Sequence, residues 1–289
     1  MLRFYSTHIS ETTIVLDDND STHAIKVLRL TQGSELEIVD GFGNIYTSEI
    51  DTPNYKKCIC KIVKVRKEQP LPYTLHIAVA PTKNIDRFEW FLEKATELGI
   101  TEITPVLCSN SERKNIKVER LDRILISAMK QSLKATKPKL NPMTTIKDVL
   151  SKQVDGLKLM AYCEAGKKKR FSELNTSIKK ITVFIGPEGD FTPKEIAFGK
   201  ENGFIPLSLG SSRLRTETAA LFSVASVYNT SKTKYAFTHV PFISLCCSFF
   251  IGIVSFAQDN THKQPFYQQL EDSVKPYKII HAKLLYIDL

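Results

Sequence analysis

The first seventy residues alternate between hydrophobic and polar positions, which is the period of a half-buried β-strand. Residues 35–39 alternate, residues 40–44 form a glycine-containing turn, and residues 45–50 resume the alternation, which predicts a hairpin. Residues 58–65 alternate again. Several short strands joined by tight turns predict a small β-barrel. Residues 66–72, charged at their start and holding two prolines, are predicted to be the linker that follows it.

From residue 73 onward, short apolar runs alternate with stretches of helical periodicity. The apolar runs, which are typical of buried parallel strands, are 75–80, 103–107, 157–163, 181–185 and 205–209. Apolar residues three and four apart predict helices that contain residues 88–98 and 121–129, and residues 217–228 form the last predicted helix. This alternation predicts an α/β domain with a mainly parallel sheet.

The sequence also places several helix ends. Gly99 follows the helical stretch 88–98 and can terminate it. Thr192 is a predicted N-cap, Pro193 suits the first helical position, and Glu195 completes a capping box. Gly203 is predicted to end that helix.

Composition adds a charge signal to this picture. A chain of 289 residues, 42% hydrophobic and 25% charged, is long enough for two globular domains. The formal net charge of +9 favours a polyanionic partner such as nucleic acid, although a basic protein without such a partner fits the charge equally well.

The cysteines favour a reduced environment and no metal. Cys58 and Cys60 lie two apart on a predicted strand, so both point to one face, and no second pair has zinc-ligand spacing. Residues 1–11 lack the apolar core of a signal peptide. We therefore expect a cytoplasmic protein without a metal site.

Residues 236–289 differ from the rest of the chain. Within them, residues 241–257 form an uncharged apolar run of 17 residues, at the lower limit for a membrane span. This atypical C-terminal tail can be a fused or read-through extension, a membrane anchor, or an added apolar helix packed on the body. Membrane contact is expected only if the tail is a genuine anchor.

Two glycine-containing loops follow predicted strands and are the first candidates for a site. Residues 186–189 follow the strand 181–185, and residues 210–212 follow the strand 205–209. Ligands of open α/β sheets bind beyond the carboxyl ends of the strands, where such loops gather. The sequence lacks the P-loop, dinucleotide and nucleophile-elbow motifs. A ligand pocket between the two loops is therefore predicted without a ligand class, and plain turns remain the alternative.

The segment before the last predicted helix carries charged candidates. Glu217 lies in the first turn, where an acidic side chain suits the helix dipole. Arg213 and Arg215 flank Leu214, and we expect only one of the two arginines to serve the pocket. A surface loop with an Arg–Glu pair is the alternative interpretation.

Five segments together resemble the RsmE family. Residues 185–196 (IGPEGDFTPKEI) and 207–221 (LSLGSSRLRTETAAL) are similar to the signature of these SPOUT-class methyltransferases. Residues 23–29, 93–99 and 131–132 resemble further elements of the same family, and the match covers roughly residues 1–231. The family methylates N3 of a uridine in 16S ribosomal RNA of the small ribosomal subunit, with S-adenosyl-L-methionine (SAM) as cofactor.

The resemblance implies an architecture and a cofactor site. Residues 1–70 would form a PUA-like β-barrel for RNA binding, and residues 73–232 a trefoil-knotted SPOUT domain with a parallel sheet, in a homodimer. The residues implied to line the SAM site are Tyr162, Cys163, Glu164, Ile185, Gly186, Pro187, Glu188, Gly189, Leu209, Gly210, Leu214 and Arg215. The family usually has glycine where this chain has Asp190, which puts a tight turn at that position in question.

Chemical reasoning assigns roles to a few of these residues. Arg215 would stabilise the developing uridine anion, Glu217 would orient Arg215, and Glu188 is a candidate for the base. The candidates for phosphate contacts are Lys26, Arg29, Lys83 and Arg87. Two other classes of protein stay open, namely a non-catalytic RNA-binding protein with a degenerate knot domain and a membrane-tethered protein.

Overall fold

A computed structural model of the protein describes residues 3–151, 155–174 and 179–236. Residues up to Thr233 form one compact unit that contains two β-sheets, one after the other along the chain. The predicted boundary at residues 70–73 falls between the last strand of the first sheet and the first strand of the second. The apolar run 241–257 and its three interpretations lie outside the described residues.

The N-terminal sheet has six strands in the order β1-β4-β5-β6-β3-β2. They are β1 Arg3–Tyr5, β2 His8–Ile9, β3 Thr13–Val15, β4 Glu35–Val39, β5 Asn44–Thr52 and β6 Ile59–Lys67. The predicted hairpin is confirmed, because β4 and β5 pair antiparallel with Val39 opposite Ile45. Between β3 and β4, helix α1 (Asp18–Thr22) continues into a π-helical turn, His23–Val27.

Alternation along these strands builds one hydrophobic core. Its largest members include Phe4, Ile14, Leu36 and Ile38, all buried. Cys58 and Cys60 join this core from the same face, as predicted, with their Sγ atoms 4.0 Å apart. Most polar residues at the alternate positions of these strands face solvent, which is the pattern that the sequence predicts for half-buried strands.

The second sheet is parallel throughout, as predicted, and has seven strands. They are β7 Thr74–Val79, β8 Glu102–Leu107, β9 Lys139–Leu140, β10 Thr144–Thr145, β11 Leu157–Ala161, β12 Lys180–Ile185 and β13 Ile205–Leu207. The order is β10-β8-β7-β12-β11-β13, and β9 also pairs with β8. The trefoil knot stays a prediction.

Helices cover both faces of this sheet. They are α2 Ile85–Leu98, α3 Val118–Gln131, α4 Ile146–Leu150, α5 Pro193–Glu201 and α6 Thr216–Ala236. Alternate strand residues reach different cores: Ile77 and Val183 pack with residues of α2, α3 and α6, whereas Ala78 and Phe184 pack with residues of α4 and α5. The strands are therefore apolar on both sides, which explains why the sequence shows continuous apolar runs here.

The predicted helix ends are confirmed with one shift. Gly99 caps α2 in the left-handed conformation, with φ 94°. Thr192 and Glu195 form the capping box of α5, and Pro193 opens the helix. The C-cap of α5 is Asn202 rather than Gly203, because the glycine follows the cap and supplies the left-handed turn, with φ 80°.

The two sheets meet through the loop after α3. The amide of Gly43 donates to the carbonyl of Ala135 (3.0 Å), and the amide of Lys137 donates to the carbonyl of Gly41 (2.8 Å). The Nζ of Lys130 lies 2.7 Å from the carboxylate of buried Asp20. Backbone pairing thus joins the turn of the β4–β5 hairpin to the loop after α3, and the ion pair joins α1 to α3.

Two of the sequence interpretations concern a membrane span and a metal site. In residues 3–151, 155–174 and 179–236, no helix has the length and hydropathy that a membrane span needs. The same part of the chain contains no group of three or more His, Cys, Asp or Glu side chains that could hold a metal ion.

A glycine at the start of β11 gives the first testable prediction. Gly156 has φ 100°, and a Cβ there would lie 2.3 Å from the carbonyl oxygen of Lys180. We expect Gly156→Ala to lower the free energy of unfolding by about 3 kcal/mol or more, since it adds a backbone clash to the strain of a positive φ.

Gly33→Ala is the matched control, because Gly33 has φ 82° and nothing within 4 Å of an added Cβ. Gly33→Ala adds only the strain of a positive φ, and we expect it to lower the free energy of unfolding by about 1 kcal/mol. Urea unfolding measures both values. Equal losses in the two variants would contradict the close packing of Gly156 against β12.

Candidate functional site

The carboxyl ends of the parallel strands bring distant segments of the chain to one edge of the sheet. Strand β12 lies between β7 and β11, and β11 also pairs with β13. The loops after β7, β12, β11 and β13 are therefore neighbours in space. Both predicted glycine loops belong to this group.

A cavity of about 600 Å³ opens among these loops. Ten of the twelve residues predicted for the cofactor line it: Tyr162, Cys163, Ile185, Gly186, Pro187, Glu188, Leu209, Gly210, Leu214 and Arg215. The structure therefore brings together three segments that lie far apart in the sequence.

Glu164 and Gly189 do not line the cavity. Strand β11 ends at Ala161, two residues earlier than predicted, and Glu164 lies in an exposed bend after it. Gly189 faces Asn110 instead, since a Cβ on it would lie 3.0 Å from the Cβ of Asn110. For these two residues, the structure does not place the side chain or Cα at the cavity, and a contact with the cofactor stays a prediction.

Both arginines before α6 line the cavity, and the expectation that only one of them serves it stays a prediction. The segment that carries Arg213 and Arg215 has no regular secondary structure, and it follows the cavity wall along its length. Glu217 is buried at the start of α6, outside the lining residues. Among the described side chains, no ion pair joins Glu217 to Arg215, so the structure does not bring the predicted pair together.

Several lining residues have no counterpart among the predictions. They are Ala161, Lys168, Asp190, Leu207, Ser208, Ser211, Ser212, Arg213, Thr216 and Ala219. Lys168 is held near the cavity by its own loop, because its Nζ donates to the carbonyl of Tyr162 (2.5 Å) and lies over the Tyr162 ring. The run of three lysines at residues 167–169 is the sequence feature that could have predicted a basic side chain at the cavity.

The loop 186–191 is the centre of the site, because other loops bond to it from several directions. The amide of Lys83 donates to Oε1 of Glu188 (2.9 Å). The side-chain amide of Asn110 donates to the carbonyl of Gly189 (3.1 Å), and Oγ1 of Thr216 donates to the carbonyl of Gly186 (3.0 Å). These bonds fix the loop against the segments after β7 and β8 and the start of α6.

Asp190 forms a tight turn, although the family usually has glycine at this position. Its amide donates to the carbonyl of Pro187 (2.9 Å), and its backbone has φ 60°. Its Oδ2 accepts the amide of Cys163 (2.7 Å). Burial raises the pKa of the Cys163 thiol, and the charge of Asp190 raises it further, while Arg213 and Lys168 act in the opposite direction.

Glu195 joins the segment after β8 to the start of α5. Its carboxylate accepts the amide and hydroxyl of Ser109 (2.8 and 3.0 Å) and the amide and hydroxyl of Thr192 (2.7 and 2.9 Å). Burial raises its pKa, but these hydrogen bonds outweigh burial and leave the pKa of Glu195 below its usual value.

The candidate phosphate contacts divide between two places. Lys26 and Arg29 are exposed in and just after the π-helical turn between β3 and β4, and the Nζ of Lys26 lies 3.7 Å from the centre of the Tyr55 ring. Lys83 and Arg87 are exposed beside the start of α2, where the Nζ of Lys83 lies 3.3 Å from a carboxylate oxygen of Glu112.

The Tyr55 loop also carries two exposed lysines, residues 56 and 57. Sequence reasoning missed this loop, although an aromatic residue followed by two lysines in a polar turn was a usable signal. Lys26 therefore belongs to a wider basic surface that includes the Tyr55 ring and Lys56, whose Nζ lies 5.9 Å from the centre of that ring.

The bonds of Glu195 give a pH-dependent prediction. Because the pKa of Glu195 is lowered in the folded state, its stabilising effect is complete above the unfolded value of about 4.3 and is lost as pH falls through the folded pKa. We expect Glu195→Gln to lower the free energy of unfolding by about 2 kcal/mol at pH 7. The difference from the wild type should shrink below about pH 4.

Urea unfolding from pH 3 to pH 8 measures this difference. Glu201→Gln is the control, because Glu201 is exposed at the end of the same helix, and it should change stability little at any pH. A difference for Glu195→Gln that stays constant across the range would contradict the role of the ionised carboxylate.

Comparisons with known proteins agree with the division into two sheets. A family model described as an RNA methyltransferase domain matches residues 69–228, and one described as an RNA methyltransferase PUA domain matches residues 16–63. A ribosomal RNA small subunit methyltransferase E of Rickettsia conorii is 31% identical over 220 residues, which are 74% of this chain and 88% of that protein.

Solved structures give the same result. A probable rRNA-methyltransferase from Porphyromonas gingivalis is similar with a TM-score of 0.76 at 36% identity, over 81% of this chain and 100% of that one. A ribosomal RNA small subunit methyltransferase E from Neisseria gonorrhoeae, bound to S-adenosyl methionine, is similar with a TM-score of 0.69 at 28% identity, over 79% of this chain and 97% of that one. The chain thus belongs to the RNA methyltransferase family that includes the ribosomal RNA small subunit methyltransferases E, the RsmE family.

Proposed function

We propose that this protein transfers the methyl group of SAM to N3 of a uridine in 16S ribosomal RNA. The observation that carries the proposal is the cavity of about 600 Å³, where ten residues predicted for the cofactor converge from three loops. Relatives that carry the name of small-subunit rRNA methyltransferases support the substrate class. A similar structure that was solved with S-adenosyl methionine supports the cofactor.

The residues present fit this cofactor. A volume of about 600 Å³ lies within the range of sites for small molecules, roughly 300–1,000 Å³. Ile185, Leu209 and Leu214 offer apolar contact for an adenine ring. Gly210 has φ 124° and nothing within 4 Å of an added Cβ, so its bare backbone can approach a ligand closely.

SAM supplies a methyl group that its sulfonium centre already activates, so the protein has mainly to position the base and help its N3 proton to leave. Arg215 lines the cavity and is exposed, and we assign it to the negative charge that develops on the uridine. Glu188 is the candidate base. One of its carboxylate oxygens accepts the Lys83 amide, which fixes the side chain at the cavity wall.

Glu217 takes a different role from the one that the sequence indicated. Glu217 lies in the first turn of α6, where its negative charge interacts favourably with the helix dipole. This interaction stabilises the helix end that follows Arg215. It would position Arg215 through the backbone.

The basic surface is assigned to the RNA. Lys26 and Arg29, in and just after the π-helical turn, would contact phosphates together with Lys83 and Arg87 beside α2, and Tyr55 would add an aromatic contact. A homodimer and a cytoplasmic location belong to the proposal, since the family resemblance implies the dimer and ribosomal RNA is the substrate.

Arg215→Ala separates chemistry from cofactor binding. We expect methylation of small-subunit RNA to fall by about 100-fold or more, because the charge on the base loses its counter-ion. The affinity for SAM, measured by calorimetry, should change by less than about threefold, because apolar and backbone contacts hold most of the cofactor.

Arg213→Ala is the control, since it removes the same charge from the same wall, and it should keep most of the activity. Methylation by Arg215→Ala at the wild-type rate would show that the assignment is wrong. If the wild type itself does not bind SAM, the protein is instead a non-catalytic RNA-binding protein.

A combined variant tests the RNA surface. Replacing Lys26, Arg29, Lys83 and Arg87 together by alanine should weaken RNA binding and reduce the slope of log affinity against log salt by about 0.7–0.9 for each lost phosphate contact. Filter binding over a range of salt concentrations measures both quantities.

The control variant removes four exposed lysines that have no assigned role, Lys61, Lys64, Lys147 and Lys194. It removes the same number of charges, so it separates local contacts from the effect of net charge. Equal slopes for the two variants would rule out the placement of the RNA on the predicted residues.

A further inference from the structure

We propose that Asp190 is a positioning residue of the cofactor cavity, because its carboxylate joins the loop after β11 to the loop after β12. We call this pair of bonded segments, Cys163 and residues 187–191, the Asp190 latch. The inference rests on the proposed function in one respect, namely that the cavity which the latch borders holds SAM.

The contacts of Asp190 leave its carboxylate little freedom. Oδ2 accepts the backbone amide of Cys163 (2.7 Å), and Oδ1 accepts the backbone amide of Phe191 (2.8 Å). The first bond crosses from one loop to the other, and the second fixes the side chain on its own loop. Both Cys163 and Asp190 line the cavity, so the bond between them forms part of its wall.

The backbone of Asp190 is held as firmly as its side chain. Its amide donates to the carbonyl of Pro187, and its carbonyl accepts the side-chain amide of Asn110 (3.0 Å). These bonds maintain φ at 60°, a left-handed conformation that costs free energy in any residue except glycine. A glycine would make the same turn without strain, so the turn alone does not require aspartate, whereas the bond to Cys163 does.

The loop after β11 needs such a bond because its backbone leaves the sheet early. Strand β11 ends at Ala161, so Tyr162 and Cys163 face the cavity without the support of strand pairing. Lys168 binds the carbonyl of Tyr162 within the same loop (2.5 Å). Among the described residues, the carboxylate of Asp190 is the group that fixes Cys163 to the opposite loop.

The thiol of Cys163 reports on the latch directly. Burial and then the charge of Asp190 raise its pKa, whereas Arg213 and Lys168, which line the same cavity, lower it. Removal of the Asp190 charge should therefore lower the pKa of Cys163, and the thiolate should appear at a lower pH.

Two substitutions remove the hydrogen bonds of the latch in part or completely. Asp190→Asn keeps one acceptor oxygen for two amides, and Asp190→Gly removes both bonds while it suits the positive φ. By calorimetry on the full chain, we expect SAM to bind about tenfold more weakly to Asp190→Gly and about threefold more weakly to Asp190→Asn. Asp155→Asn is the matched control at the other end of β11, where the carboxylate is 91% exposed, and it should bind SAM as the wild type does.

The second measurement needs no cofactor. The rate of Cys163 alkylation by iodoacetamide is followed against pH, with the Cys163 peptide quantified by mass spectrometry so that other thiols do not contribute. At pH 7.5, we expect Asp190→Asn and Asp190→Gly to react about threefold faster or more than the wild type, and Asp155→Asn to react at the wild-type rate.

The outcomes are distinct. The latch is supported if both Asp190 variants shift the alkylation profile and if SAM affinity falls in the order wild type, Asn, Gly. It is overturned if the Cys163 profile does not move, or if Asp190→Gly binds SAM as tightly as the wild type. If the wild type fails to bind SAM, the proposed function is overturned, and the alkylation profile alone still decides whether the latch exists.

Discussion

The position of β12 between β7 and β11 is the constraint on which the rest of the site depends. Parallel pairing on both sides sends its carboxyl end to the edge where its neighbours also end. The loop 186–191 can therefore bond to the segments after β7, β8 and β11 and to the start of α6. If β12 lay at the edge of the sheet, the same loop could reach only one neighbouring strand.

A buried and a half-buried acidic side chain organise this edge as structural hydrogen-bond acceptors. Glu195 satisfies two amides and two hydroxyls, and Asp190 satisfies two amides. Irregular loops leave backbone amides without strand partners, and a carboxylate can accept several of them at once. The basic side chains Arg213, Arg215 and Lys168 line the cavity together with Asp190. Asp190 and Lys168 therefore both hold a loop and border the space available to a ligand.

Much of the fold follows from the sequence, because it is governed by local patterns. Period-two alternation predicts the β4–β5 hairpin, and the continuous apolar runs predict the parallel sheet, whose strands are covered on both faces. The capping box at Thr192 and Glu195 is equally local. The C-cap at Asn202 differs by one residue from the predicted end, because the glycine that supplies the left-handed turn comes just after the cap.

The differences between the predicted site residues and those that line the cavity have a common physical cause, which is that the direction of a side chain in an irregular loop depends on tertiary contacts. Gly189 points to Asn110, and Glu164 lies in an exposed bend, although both neighbour residues that line the cavity. The two arginines around Leu214 line it together, because the segment is not a strand with alternating faces. The bond of Asp190 to Cys163 spans 27 residues, and no local pattern encodes it.

The separation of these partners along the chain has a consequence for how the protein folds. Glu188 meets the amide of Lys83 across 105 residues, and Asp190 meets Asn110 across 80. Contacts of such long range close only after the intervening chain is ordered, since the entropy of loop closure opposes them until then. During synthesis, the cavity cannot be completed before Thr216, whose hydroxyl binds Gly186, has left the ribosome. The fold therefore delays ligand binding until almost all of its described chain has been made.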